Sequence, residues 1–208
     1  MSESTSDFRP TPSGNKRWLP LESNPEVMNK FVWSLGLPRK WGFTDVYGLD
    51  ADLLAMVPQP VVAVMMLFPV TKPHEDHRVA EDERIQAEGQ TLSPNVYHLK
   101  QTIANACGTV GVLHAVANNK DRLELPEDCY LRRFVENGSA KTSEERGEQL
   151  EVSEEVTNVH EECANEGQTE VGAFRFVELE SIVQSVVCDS ACAFVACQVV
   201  GWCLNKGV

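Results

Sequence analysis

The chain has 208 residues, with 42% apolar side chains, 24% charged side chains and a formal net charge of −13. This length suffices for one domain with a substantial core. Nucleic acids and anionic membrane surfaces attract positive charge, so the acidic balance argues against both as main partners and allows a basic protein partner. The N-terminus shows no apolar signal-peptide core, which predicts a cytoplasmic protein with reduced cysteines.

The first part of the chain predicts a disordered extension followed by a helix. Residues 1–16 are rich in Ser, Thr and Pro and carry few apolar groups, which is typical of disorder. Asn24 followed by Pro25 is an N-cap with proline at the first helical position, and Gly36 marks the helix end.

The next elements alternate between strand and helix patterns. Residues 44–47 resemble a strand, and Asp50 could cap a short helix that runs to Met56. The continuous apolar run at 61–70 predicts a buried central strand. Residues 72–90 are charged and predict a solvated loop or a short exposed helix.

The segment 102–116 predicts a largely buried helix that carries Cys107 near its start. The positive end of a helix dipole favours the thiolate, and a nearby amide such as Gln101 can donate to a developing oxyanion. These two residues therefore indicate a cysteine nucleophile with part of its catalytic support.

The last third of the chain predicts a packed helix, an acidic loop and an apolar tail. A capping pattern introduces a helix near 143–150, and residues 151–170 are acidic and indicate an irregular surface loop. Residues 182–204 are apolar and rich in cysteine, long enough to be weighed as a bilayer span, although polar residues within them count against it. The chain has no Cys-x-x-Cys pair and no histidine near the cysteines of the tail, so we expect no metal site and no cofactor.

Four stretches carry a family resemblance. They read RWLPLESNPEVMNKF, WGFTDVYGLDADLLAMVPQPVVAVMMLFPVT, YHLKQTIANACGTVGVLHAVANN and HEECANEGQTE. Their order and spacing resemble the ubiquitin carboxyl-terminal hydrolases of the small cytosolic kind, and within that family the L3 isozyme. The resemblance implies an incomplete hydrolase domain over residues 17–170, flanked by the disordered extension and by a divergent tail at 171–208.

The resemblance implies an α/β (α+β) fold with a papain-like cysteine peptidase core, in which helices flank a central, mainly antiparallel sheet. It implies a monomeric thiol hydrolase that cleaves after the C-terminal Gly of ubiquitin, with NEDD8 as a further possible substrate. Cys107 matches the nucleophile and Gln101 the oxyanion donor. The stretch 18–25 matches a ubiquitin-contacting segment, and 156–168 matches the crossover loop that spans the site. From these two stretches we expect ubiquitin contacts at Leu19, Pro20, Leu21, Glu22, Val159, His160 and Glu161.

The resemblance ends near residue 171, before the family's catalytic His and Asp. No histidine follows His160, and no text resembles the family's His-Leu-Tyr-Glu-Leu-Asp-Gly stretch, so the C-terminal core strands are predicted to be missing or replaced. The remaining histidines match non-catalytic positions or lie in charged or unassigned segments: His74, His77, His98 and His114. We therefore expect impaired activity, since the imidazole is the general base and acid of this mechanism.

Two alternatives to an impaired hydrolase remain open. The chain could be a non-catalytic ubiquitin-binding module, or a tail-anchored or unstable truncated product. A C-terminus created by alternative splicing, a retained intron or a gene-model error would account for the divergence after residue 170.

Overall fold

The computed structural model describes residues 16–66, 72–91, 93–166, 184–187 and 201–206, and for 184–187 and 201–203 it describes the backbone only. In chain order, the first half contains helix α1 (Pro25–Ser34), strand β1 (Trp41–Val46), helix α2 (Ala51–Ala55), strand β2 (Val61–Met66) and helix α3 (Lys72–Glu88). The second half contains α4 (Cys107–Ala117), α5 (Lys120–Leu123), α6 (Tyr130–Asn137), α7 (Ser143–Glu151), α8 (Glu154–Glu166), β3 (Gln184–Val187) and β4 (Gly201–Lys206).

The four strands form one antiparallel sheet in the order β1-β4-β2-β3. Strand β4 lies between β1 and β2, with Leu204 opposite Phe43 on one side and Ala63 on the other. The C-terminal segment therefore supplies two strands of the sheet, including one that is paired along both edges.

Local sequence signals explain where several helices begin. The Asn24 side chain accepts a hydrogen bond from the Glu26 N–H, and Pro25 occupies the first turn of α1. The Asp50 carboxylate accepts from the Leu53 N–H at the start of α2, at 3.1 Å. Thr142 and Glu145 form a reciprocal capping box at the start of α7.

The core lies between the sheet and the helices, and a buried polar clamp joins the two layers. Phe31 on α1, Phe43 on β1, Leu113 on α4 and Leu204 on β4 are all essentially without exposed surface. Asn29 on α1 donates to the Phe43 carbonyl at 2.9 Å and accepts from the Phe43 N–H at 2.6 Å. This paired bond fixes α1 against β1 and satisfies backbone groups of β1.

The predicted elements of the first half are confirmed where the structure describes them. Helix α1, the Asp50-capped helix and an interior strand at 61–66 are present, while 67–70 of the predicted strand lies outside the described residues. The strand predicted at 44–47 begins earlier, at Trp41. Of the predicted disordered extension, only Lys16 lies within the described residues.

Of two charged segments, 72–88 takes the helical one of its two predicted forms but is longer than expected, whereas 154–166 differs from its prediction. Residues 72–88 form one continuous exposed helix, held along its surface by ion pairs between Arg78 and Glu75 and between Arg84 and Glu88. The prediction of an irregular surface loop at 151–170 is wrong for 154–166. This stretch is helix α8, which buries Val156, His160, Cys163 and Ala164 along one face.

The stretch 182–204, weighed as a bilayer span, contributes to the sheet. β3 lies within this stretch, and β4 begins in it and ends at Lys206. Within the ranges that the structure describes, no helix is both long enough and apolar enough to cross a bilayer.

Candidate active site

Cys107 is the first residue of α4, and its side chain is half-buried. Ala106 is the N-cap residue and makes no side-chain capping bond, so backbone N–H groups of the first turn are left to other acceptors. A helix start of this kind stabilises negative charge at the thiol sulfur or on an oxygen bound beside it. The prediction that Cys107 lies near a helix start is confirmed, but the helix predicted over 102–116 begins at Cys107 and ends at Ala117.

The turn before Cys107 is fixed to residues 16–22, here called the N-terminal segment. Arg17 and Ala104 form an isolated parallel bridge, in which the Trp18 N–H donates to the Ala104 carbonyl at 3.0 Å. Asn105 has a φ of +64° and donates from Nδ2 to the Trp18 carbonyl at 3.0 Å. Asparagine adopts the left-handed region more readily than other side chains with a Cβ, which explains its place two residues before the nucleophile.

Gln101 lies beside the same turn. Its amide Nε2 donates to the Ile103 carbonyl at 3.0 Å, and the Ala106 N–H approaches the same oxygen at 3.4 Å. Because both donors converge on one oxygen, the Gln101 amide is held next to the residue that precedes Cys107. An amide nitrogen carries two hydrogens, so the second N–H can serve an oxyanion.

The N-terminal segment also covers the first turn of α4. A Cβ placed on Gly108 would lie 3.3 Å from the Leu21 Cβ, so this close packing favours glycine directly after Cys107. Leu19, two residues before Leu21, is 41% exposed, which leaves an apolar side chain at the surface of the same segment. Of the other predicted ubiquitin contacts, Pro20 and Glu161 are exposed, whereas Leu21, Glu22 and Val159 are half-buried.

His160 does not fit its predicted role as a surface contact. Its side chain has no exposed surface, because it lies on the inner face of α8 rather than in a loop. The ring bonds to the Thr109 hydroxyl at 2.8 Å and to the Leu19 carbonyl at 2.7 Å. Burial lowers the pKa of His160, which favours the neutral imidazole.

The other buried histidine, His114, also makes structural contacts. His114 on α4 accepts the Leu99 N–H at Nε2 at 2.9 Å, and its ring stacks on that of His98 with centroids 5.2 Å apart. Burial, followed by the neighbouring His98, lowers the pKa of His114 to about 4. His98 bonds to the Ser143 hydroxyl, and His74 and His77 lie on the exposed helix α3. His114 and His160 are therefore poor general bases for Cys107.

The structure identifies site residues that the sequence pattern did not reveal: Trp18, Asn105 and Thr109. A recognisable signal existed for Asn105 alone, since asparagine near a helix start often marks left-handed backbone. Within the described parts of the chain, no group of three or more His, Cys, Asp or Glu side chains is arranged to hold a metal ion.

We expect Asn105→Val to lower the free energy of unfolding by about 1–3 kcal/mol, because a β-branched residue is strained at positive φ. Asn105→Gly relieves this strain and loses only the bond to Trp18, so it should cost less. Urea denaturation of both variants measures the difference. Equal destabilisation by Val and Gly would show that backbone strain is not what selects asparagine here.

Comparison with known proteins adds a family to this geometry. Residues 18–181 match the model of the family described as ubiquitin carboxyl-terminal hydrolase, family 1. A probable ubiquitin carboxyl-terminal hydrolase of Dictyostelium discoideum is 45% identical over 156 residues, which are 75% of this chain and 61% of that protein. The chain thus spans less than two thirds of that relative.

Two further relatives agree with this match, and one solved structure shares the fold. Ubiquitin carboxyl-terminal hydrolase 3 of Arabidopsis thaliana is 44% identical, and the L1 isozyme of Rattus norvegicus 42% identical, over 76% and 73% of this chain and 67% of each relative. The catalytic domain of Trichinella spiralis UCH37, solved bound to ubiquitin vinyl methyl ester, superposes with a TM-score of 0.62 at 14% identity. That likeness covers 95% of this chain and 98% of the other. It confirms the predicted fold class, whereas the finer likeness to an L3 isozyme stays a prediction.

Proposed function

The chain belongs to family 1 of the ubiquitin carboxyl-terminal hydrolases, and from that premise we propose that it is a thiol hydrolase of ubiquitin adducts with Cys107 as nucleophile. One observation carries the proposal: Cys107 begins α4, and the hydrogen bond between Asn105 and Trp18 holds the turn before it. Leu21, which packs against Gly108, and the exposed Leu19 support the segment 19–22 as part of the ubiquitin-binding surface.

In the proposed reaction the Cys107 thiolate attacks the carbonyl carbon of the C-terminal Gly of ubiquitin. The second N–H of the Gln101 amide and the backbone N–H groups at the start of α4 stabilise the oxyanion. The C–N bond then breaks to leave a thioester, and water releases ubiquitin and regenerates the thiol. The leaving amine must gain a proton in the first half of this sequence.

Proton transfer is the step that this chain supports poorly. Both ring nitrogens of His160 already have partners, and the Leu99 N–H occupies Nε2 of His114. We therefore assign to solvent the removal of the thiol proton and the protonation of the amine. We therefore expect turnover to be roughly 10⁴- to 10⁶-fold slower than in a complete family member, as when a catalytic triad loses its base.

Hydrolysis of ubiquitin bearing a fluorogenic C-terminal amide tests this proposal. We expect slow turnover that Cys107→Ala abolishes, whereas Cys129→Ala, which alters another half-buried cysteine, should leave the rate unchanged. Turnover that persists in Cys107→Ala would contradict the assignment of the nucleophile. A rate within about tenfold of a complete relative would contradict the missing general base.

A second candidate function is ubiquitin binding without catalysis. The exposed Leu19 favours it, as do the hydrogen bonds that His114 and His160 already make. Saturable ubiquitin binding without any Cys107-dependent turnover would select it. In either case we propose a monomer acting in the cytoplasm, with ubiquitin as partner and NEDD8 as a further partner. An unstable truncated product is the weaker alternative, since β4 is paired along both edges in the sheet.

A further inference from the structure

His160 joins two segments that meet at Cys107. One ring nitrogen, Nδ1, lies 2.8 Å from the hydroxyl of Thr109, two residues beyond Cys107 on α4. The other, Nε2, lies 2.7 Å from the carbonyl of Leu19 in the N-terminal segment. His160 and Thr109 have no exposed surface, so water cannot replace either bond without a change of packing.

The two hydrogen-bond partners, a carbonyl and a hydroxyl, fix the protonation of the ring. A carbonyl oxygen only accepts, so Nε2 must carry the proton that it donates to Leu19. Nδ1 is then the acceptor of the Thr109 hydroxyl in a neutral ring, which agrees with the burial-lowered pKa of His160. The imidazole therefore acts as a fixed bridge with one donor and one acceptor.

Packing holds this bridge in a single orientation. The ring of Trp18 lies against His160 with centroids 4.3 Å apart, and Phe31 meets it edge-on at 6.4 Å. The carbonyl of Trp18 in turn accepts from Asn105, in the turn before Cys107. The N-terminal segment thus contacts the turn before Cys107, while His160 contacts the first turn of α4.

We propose that His160 is a positioning residue that couples the 19–22 segment to the orientation of Cys107 through its bonds to Leu19 and Thr109. A partner seated on the segment 19–22 would then act on the orientation of the nucleophile through this bridge. This inference rests on the proposed function for its biological role, but its geometric content can be tested without ubiquitin.

The first test measures alkylation of individual cysteines by iodoacetamide, using mass spectrometry of the full chain. The readout is the ratio of the Cys107 rate to the Cys129 rate, since Cys129 is also half-buried but lies at the start of α6. General destabilisation raises both rates, whereas a loosened Cys107 turn raises the ratio. For His160→Phe we expect the ratio to rise about threefold or more, within the range of coupling between contacting residues.

Four further variants, one of them a control, separate the bridge from simple packing. Thr109→Val should raise the ratio similarly, and the double variant should add little, because both single changes break the same bond. His160→Gln should restore much of the wild-type ratio, since its amide offers one donor and one acceptor. Asn158→Ala, an exposed change on the same helix, should have no effect. A ratio that stays within about 1.5-fold of wild type in His160→Phe, or fully additive effects, would overturn the proposal.

A second test uses ubiquitin vinyl methyl ester, which a thiol attacks without expelling an amine that needs a proton. In His160→Phe we expect the maximal labelling rate of Cys107 to fall about tenfold, with the half-saturating concentration nearly unchanged. A rise in that concentration with an unchanged maximal rate would make His160 part of the binding surface and overturn its positioning role. No labelling of the wild type would count against the proposed function, while the alkylation ratios would still decide the role of His160.

Discussion

Leu204→Ala should lower the free energy of unfolding by about 2–5 kcal/mol, the usual effect of truncating a buried leucine to alanine. Leu204 has no exposed surface and lies opposite Phe43 and Ala63 in the interior strand of the sheet. A small domain is stable by only about 5–15 kcal/mol, so this loss is a large part of the total. Urea denaturation followed by circular dichroism measures it.

Lys206→Ala provides the matched control on the same strand. Lys206 is exposed, and a surface substitution usually changes stability by no more than about 0.5 kcal/mol. Equal stability of the two variants would contradict the interior position of β4. A large difference between them would show that the divergent C-terminal segment completes the core.

The sheet shows why the C-terminal strands were difficult to predict. The apolar run at 61–66 is recognisable as a buried strand from its own composition. The partner of a strand, and its register, depend on residues far away in sequence, so nothing within 201–206 specifies a position between β1 and β2. The family pattern predicted missing or replaced strands but could not supply the replacement.

Helix α8 was predicted wrongly although its sequence contained the signal. Its buried residues Val156, His160, Cys163 and Ala164 recur at helical spacing. The many acidic side chains of 151–166 instead suggested a surface loop, but they lie on the exposed face, where Glu162 and Glu166 pair with Lys30 of α1. Periodicity is the better guide here because an amphipathic helix needs only one apolar face.

The candidate site was partly predictable. Cys107 and Gln101 follow from a local motif, and the structure places both at the same turn. The contacts that hold this turn join distant parts of the chain. Trp18 and Asn105 are separated by 87 positions, and Thr109 and His160 by 51. Such contacts depend on the completed fold, so one sequence cannot reveal them.

Acidification should destabilise this protein through His114. Its side chain is 8% exposed and accepts the Leu99 N–H, and burial lowers its pKa from an ordinary 6.5 to about 4. Above pH 6.5 the folded and unfolded states are both neutral at this site, so stability does not change. Between pH 6.5 and 4 the unfolded chain binds a proton that the folded chain resists, and the free energy of unfolding falls by about 3 kcal/mol.

His114→Gln separates this effect from the titration of carboxylates such as Glu75 and Glu124. Folding lowers the pKa of these carboxyl groups, so their protonation at low pH also destabilises the folded state. The amide oxygen can still accept from Leu99 but does not titrate, so the loss of stability between pH 6.5 and 4 should be smaller by about 3 kcal/mol. His77→Gln, on the exposed helix α3, provides the matched control substitution. If denaturation curves across this range show parallel losses in His114→Gln and wild type, the neutral buried state of His114 is not what makes the folded chain sensitive to acid.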